Sequence, residues 1–223
     1  MTRQWTTCFA AVLLVAIAGV GTAQPESIEE LRARAEQGDA DAQSSLGLAY
    51  ATGRGVSQDT AEAVRWFRLA ADQGNPSGQQ NLGFAYAIGR GVSQDDAEAA
   101  RWYRLAANQG EALAQYNLGF AYATGRGVPQ DDAEAVRWYR LAGDQGNPSG
   151  QLNLGLMYAT GRGVPQDYVQ AYMWLSLSAS RSSGEARDRA VDNRDRVASR
   201  LTPDQLAEAQ RLAREWDEAH PHD

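Results

Sequence analysis

The sequence predicts an all-α protein, a right-handed α-solenoid of 36-residue helix-turn-helix units with a helical cap at its C-terminal end. Two observations support this prediction. Glycine and tryptophan each recur at a step of 36 residues, as Gly38, Gly74, Gly110 and Gly146 and as Trp66, Trp102, Trp138 and Trp174. Within each period the apolar residues keep the spacing of one face of a helix. A constant period of this length is typical of stacked helix pairs.

The N-terminal residues 1–23 differ from the rest of the chain. Arg3 lies in a short polar start, an apolar run extends from Phe9 to Val20, and small residues follow. This order predicts a secretory signal peptide, because the apolar run is shorter than the roughly 20 residues of a membrane span. We therefore expect an exported protein, in the periplasm or secreted, with no membrane span after signal cleavage.

The composition excludes several kinds of chemistry. Cys8 precedes the apolar run, so the mature chain would hold no cysteine. Removal of residues 1–23 takes away Arg3 and no acidic residue, which moves the formal charge from -7 to -8. Such an acidic chain is not suited to nucleic-acid binding by phosphate neutralisation. The chain has no lysine, which excludes a Walker loop, a Ser-x-x-Lys nucleophile and a Schiff base.

The repeat array begins after a single predicted helix at residues 27–37, which caps its start. Four units follow at about 38–73, 74–109, 110–145 and 146–181. In the first helix of each unit, positions such as Gln43, Leu46 and Gly47 share one face, which we expect to be buried. A helical glycine costs about 1 kcal/mol relative to alanine, so its recurrence here predicts close approach of a neighbouring helix.

Each unit also carries the signals that end one helix and begin the next. In the first unit, Gly53 suits a left-handed cap and Asp59 suits the start of the second helix. Glu62, three residues later, predicts a capping box with Asp59, and later units repeat the pairing. The second helix places Trp66 and Phe67 on its inner face, so we expect the tryptophans in the core.

Residues 182–217 lie outside the repeat and predict two capping helices. Thr202 and Pro203 suit the N-cap and the first position of the second one. Its stripe from Leu206 to Trp216 has the helical period for docking on the fourth unit.

Residues 218–223 predict a disordered tail. This tail carries the only histidines, His220 and His222. We predict no metal site there and no cofactor.

A signature recurs across residues 27–181: Leu-Gly-x-x-Tyr, Gly-x-Gly-Val, Asp-x-x-x-Ala-x-x-Trp and Ala-Ala-x-x-Gly. It resembles the Sel-1-like repeat, a relative of the tetratricopeptide repeat. A tetratricopeptide unit has about 34 residues and carries tryptophan where this chain has Gln43, Gln79, Gln115 and Gln151. The resemblance implies a solenoid whose first helices line a concave groove for a protein or peptide partner.

The second stripe of each first helix has no predicted packing role, and it varies between otherwise similar copies. It is therefore the candidate partner-binding surface, with Phe84, Tyr116, Asn117 and Phe120 as expected anchors. The full set is Ser77, Gln80, Asn81, Phe84, Leu113, Tyr116, Asn117, Phe120, Leu152, Asn153 and Leu156. The alternative is that its Phe and Leu members pack between units.

A second candidate is a row of arginines along one edge, Arg54, Arg90, Arg126 and Arg162, at equivalent positions of the four units. A row of guanidinium groups can hold an acidic partner. The alternative is that these arginines are solvated turn residues or pair with capping aspartates.

Two classes of function follow. The first is a scaffold of the bacterial cell envelope that mediates protein–protein interaction and has no catalytic residues. The second is a hydrolase of cell-wall material or β-lactams, which the resemblance implies through a cysteine-rich branch of the family with β-lactamase-like activity. This chain lacks the cysteines of that branch. A secreted effector or adhesin is a further alternative.

Overall fold

The computed structural model describes residues 27–221, so the predicted signal peptide at 1–23 and His222 lie outside it. Within the described residues the chain forms eleven helices and no strand. They are α1 (Ile28–Glu36), α2 (Ala40–Thr52), α3 (Thr60–Asp72), α4 (Pro76–Ile88), α5 (Asp96–Asn108), α6 (Ala112–Thr124), α7 (Asp132–Asp144), α8 (Pro148–Thr160), α9 (Tyr168–Arg181), α10 (Gly184–Ala198) and α11 (Pro203–Ala219). None of these helices is long and apolar enough to cross a membrane.

The helices stack in pairs. Units 1 to 4 consist of α2 with α3, α4 with α5, α6 with α7, and α8 with α9. In units 1 to 3 the second helix packs on the first helix of the next unit. This is the all-α solenoid that the 36-residue period predicted. Its core is a row of layers, because each unit buries its apolar side against its neighbours.

The caps set the length of each helix. Gly53 ends α2 in the left-handed conformation, and Asp59 begins α3 by accepting the amides of Ala61 and Glu62. The predicted capping box is wrong in its second half. The Asp59 amide already donates to the carbonyl of Tyr50, and the carboxylate of Glu62 accepts hydrogen bonds from Arg65 instead.

The glycines on the buried face of the first helices allow close packing within each unit. A Cβ added to Gly83 would lie 2.9 Å from the ring of Tyr103 on the second helix of the same unit. The equivalent glycines face equivalent side chains, in the pairs Gly47 with Phe67, Gly119 with Tyr139 and Gly155 with Leu175. The predicted close approach of a neighbouring helix is therefore confirmed.

Helix α1, at the start of the array, makes the contacts that a second helix makes. Arg32 of α1 donates from Nη2 to the hydroxyl of Tyr50 at 3.1 Å. One arginine on each of α3, α5 and α7 makes the same contact with the next first helix, as Arg104 does with Tyr122 at 2.7 Å. Helix α1 thus occupies the place of a second helix at the start of the described array.

The end of the array is covered by α10 and α11, which both pack on α9. Trp216 of α11 lies edge-on to Trp174, with ring centroids 5.9 Å apart. The guanidinium of Arg181 lies 4.8 Å above the Trp216 ring, and His220 stacks on that ring at 4.1 Å. The predicted tail at 218–223 therefore starts too early, because α11 and its C-cap continue through His220.

Candidate functional site

The exposed stripe along α2, α4 and α6 forms one surface, which we call the first-helix face. Four large apolar side chains on it are about half exposed: Leu48 at 52%, Phe84 at 50%, Leu113 at 45% and Phe120 at 39%. Helices α2 and α4 contact each other beneath it. A run of exposed apolar side chains is typical of a surface that a partner covers.

A cavity of about 330 Å³ opens on this face between units 1 and 2. We call it the Arg90 pocket. Leu48, Val64 and Phe67 of unit 1 line one part of it, and Phe84 and Arg90 of unit 2 line another. All but one of these five side chains are apolar, so the pocket suits an apolar group next to an anion.

A second cavity of about 200 Å³ lies between units 2 and 3, which we call the Arg126 pocket. Asp96, Tyr103 and Arg126 give it a more polar lining. Phe84 and Asn117 line both cavities, so the two pockets are neighbours along the first-helix face.

The structure brings most of the predicted binding residues to these two pockets. The Arg90 pocket includes Gln80, Asn81, Phe84, Leu113 and Asn117, and the Arg126 pocket includes Phe84, Tyr116, Asn117 and Phe120. Ser77, Leu152, Asn153 and Leu156 line neither pocket. Leu152 packs against the core, which is the alternative that the sequence left open for the leucines.

The edge arginines fall into two groups. Arg126 binds Asp96 with two hydrogen bonds, Nη2 to Oδ1 at 2.7 Å and Nε to Oδ2 at 3.2 Å, and these bonds raise the pKa of Arg126. Arg162 makes the same paired contact with Asp132. Each of these arginines ties the turn of its unit to the second helix of the preceding unit. Arg54 is exposed at the turn of unit 1 and makes no ion pair within residues 27–221.

Arg90 keeps the same position without a carboxylate. Its Nη2 donates to the carbonyl of Ala51 at 2.8 Å, as the Nη2 of Arg126 donates to the carbonyl of Ala87 at 3.4 Å. Thr60 stands where Asp96 stands one unit later. In the described part of the chain Arg90 therefore forms no ion pair.

The second helices contribute residues that the sequence analysis missed, because it considered only the first helices as binding surface. Phe67 lines the Arg90 pocket where Tyr103 lines the Arg126 pocket. Burial raises the pKa of the Tyr103 hydroxyl, which stays neutral at physiological pH. The sequence differences between positions 60 and 96, and between positions 67 and 103, could have indicated this contribution of the second helices. Among residues 27–221 no group of three His, Cys, Asp or Glu is placed to hold a metal ion.

A family model for the Sel1 repeat matches four consecutive segments of the chain, at residues 40–75, 76–111, 112–147 and 148–183. The chain belongs to the Sel1 repeat family. Each matched segment begins two residues after a predicted unit, and it likewise contains one first helix and one second helix.

Two solved structures of Sel1 repeat proteins are similar to this chain. One is c5321, described as a protective antigen of uropathogenic Escherichia coli strains with an SLR fold. It is 35% identical with a TM-score of 0.79, over 86% of this chain and 41% of c5321. The other, from Oxalobacter formigenes, is 41% identical with a TM-score of 0.65, over 74% of this chain and 48% of that protein. A search of curated proteins found no match.

This Sel1 repeat protein is thus a helical scaffold of a kind typical of protein–protein interaction. The chain spans less than half the length of the two solved relatives. Its own first-helix face, with two adjacent pockets, is the candidate surface for a partner.

Proposed function

We propose that this Sel1 repeat protein is an exported scaffold of the bacterial cell envelope that binds an extended segment of a partner protein on its first-helix face. One observation carries the proposal: two pockets lie side by side across the half-exposed ring of Phe84. An extended segment that crosses Phe84 can place one side chain in each pocket.

The polar groups of the two pockets support this mode of binding. The side-chain amides of Asn81 and Asn117 line the cavities beside Phe84. A carboxamide offers both donors and an acceptor, which match the N–H and C=O groups of a peptide backbone. Apolar pockets with a few convergent polar groups are typical of binding sites.

The binding part of the proposal is tested with the exported protein, purified and screened against a displayed library of random peptides. Peptides that bind are measured again with the variants Phe84→Ser and Phe120→Ser. We expect each variant to lose about tenfold or more in affinity, since central aromatic anchors contribute most of the binding energy.

Leu105→Ser is the matched control, because Leu105 is 40% exposed on the second helix α5 and lines neither pocket. It is expected to keep full affinity. Failure of the library to yield any binding peptide would contradict the proposal, and so would equal losses in the three variants.

The export part rests on the composition of residues 1–23. Mass spectrometry of the protein from fractionated bacterial cells is expected to find a chain that begins at Gln24 in the periplasmic fraction. A chain that still begins at Met1 and stays in the cytoplasmic fraction would contradict it.

A further inference from the structure

The Arg90 and Arg126 pockets are copies of one site in consecutive repeats. Their equivalent lining residues are 36 positions apart in the sequence, so the two linings can be compared residue by residue. Both contain an arginine from the turn and a phenylalanine or leucine from the first-helix face. They differ at three positions of the second helix. Thr60 replaces the Asp96 carboxylate, Phe67 replaces the Tyr103 phenol, and Val64 replaces Ala100.

The first difference changes the charge of the site. In the Arg126 pocket the guanidinium is neutralised by Asp96, with contacts of 2.7 and 3.2 Å. The same pair recurs at Arg162 and Asp132, so two of the four edge arginines are neutralised in this way. In the Arg90 pocket Thr60 does not take that role, because its side chain is short and carries no charge.

The second difference makes the site more apolar. The phenyl ring of Phe67 and the side chains of Leu48, Val64 and Phe84 surround the cavity. An ion pair formed beside such a surface is shielded from water on one side, which strengthens the attraction between its charges. The pocket therefore combines an apolar cavity with a cation that no carboxylate of residues 27–221 neutralises.

We propose that the Arg90 pocket recognises an acidic side chain, Asp or Glu, within the bound segment, and that a neighbouring apolar side chain of the segment fills the cavity against Phe67. This proposal rests on the proposed function. The carboxylate of the partner takes the place that Asp96 takes on Arg126. The acidic residue is internal to the segment, because the surface continues past Phe84 into the Arg126 pocket and the chain must continue with it.

The test uses short fluorescent peptide libraries, each with a fixed central pair in a random context. One library carries Glu-Leu and a second carries Gln-Leu, both amidated at the C-terminus. A third carries Gln-Leu with a free C-terminal carboxylate. We expect the wild-type protein to bind the Glu-Leu library about tenfold more tightly than the other two, because a hydrogen-bonded charge pair contributes at least this much. Added salt should weaken only this preference.

Two reciprocal variants make the test specific. Thr60→Asp introduces the residue that units 2 and 3 already carry as Asp96 and Asp132, so it is expected to fold and to pair with Arg90. The preference for Glu-Leu over Gln-Leu should then disappear. Asp96→Thr frees Arg126 and should add a preference for acidic peptides at the neighbouring pocket.

The outcomes separate this proposal from the proposed function. Equal binding of all three libraries, reduced by Phe84→Ser, would overturn the acidic specificity and leave the scaffold function standing. Tightest binding of the library with the free C-terminal carboxylate would also overturn it, because the source of the charge would be a chain end. No binding of any library would count against the scaffold function itself. Unchanged thermal unfolding of Thr60→Asp shows that the fold is intact.

Discussion

The side-chain amide of Gln109 donates from Nε2 to Oε1 of Gln79 at 2.8 Å. Gln79 is buried, and its own Nε2 donates to the carbonyl of Ala71 in the preceding unit. Glutamine pairs within units 1 and 3, Gln73 with Gln43 and Gln145 with Gln115, repeat the contact at 2.7 Å. Each pair therefore lies within one unit, and the bond from its buried glutamine to the preceding helix crosses the boundary. The buried glutamines Gln43, Gln79 and Gln115 occupy the position where a tetratricopeptide unit carries tryptophan.

Substitution of the buried glutamine by leucine is predicted to have unequal effects in units 3 and 4. Gln115 uses both ends of its amide, whereas the Oε1 of Gln151 has no hydrogen-bond partner, because Arg181 stands where the next glutamine would be. Gln115→Leu should lower the free energy of unfolding by about 1 to 3 kcal/mol, and Gln151→Leu should lower it by about 1 kcal/mol less. Urea unfolding of the two variants checks this. Equal shifts of the midpoint would show that the link to Gln145 adds nothing.

Gly127, the second glycine of the Gly-x-Gly turn in unit 3, predicts a sharper difference. A Cβ on Gly127 would lie 1.9 Å from the carbonyl oxygen of Asp96, whereas a Cβ on Gly110 would meet nothing within 4 Å. Both glycines have positive φ, so alanine costs about 1 to 2 kcal/mol at either position. Gly127→Ala should cost about 1 to 3 kcal/mol more, since the turn must move off the preceding unit. Thermal unfolding measures both, and similar losses would contradict this account of the turn.

Trp216 is predicted to hold the C-terminal cap in place. Its ring contacts Trp174, Arg181 and His220. Trp216→Ala should lower the free energy of unfolding by about 2 kcal/mol. It should also accelerate hydrogen exchange of the α11 amides more than that of the amides in units 2 and 3. Arg211→Ala, on the exposed side of α11, is the control and should change little. Unchanged protection of α11 in Trp216→Ala would show that other contacts dock this helix.

Glu62 predicts a small dependence of stability on pH. Hydrogen bonds from Arg65 lower the pKa of Glu62 in the folded protein. Its contribution is therefore complete above the ordinary glutamate pKa and is lost as the pH falls through the lowered value. Glu62→Gln should reduce the acid-induced loss of stability by less than about 1 kcal/mol, because the pair is partly exposed. Urea unfolding at several pH values tests this, and the same effect in an Arg65→Gln background would exclude the pair as its cause.

Much of the fold was predictable because the relevant signals are local. Gly53 ends a helix through its own backbone conformation, and Asp59 begins one by accepting amides two and three residues away. The capping box failed for a reason that is not local. The Asp59 amide is already bonded to Tyr50 across the turn, so Glu62 is free to bind Arg65.

The candidate site was predictable only in part. The variable stripe of the first helices includes Phe84 and Asn117, which line both pockets in the structure. The contribution of Phe67 was missed, because its position in the core face of the second helix gave no hint that part of its ring lines an open cavity.

Short-range signals in the sequence specify the helix pairs, their caps and the buried face of each helix, since these depend on residues within a few positions of one another. Which arginines are neutralised depends instead on contacts between distant residues. Arg126 binds a carboxylate from 30 positions earlier in the chain, and at the same distance before Arg90 the sequence has Thr60 instead. Such contacts depend on how one unit stacks on the next, and the period of the sequence does not specify that geometry.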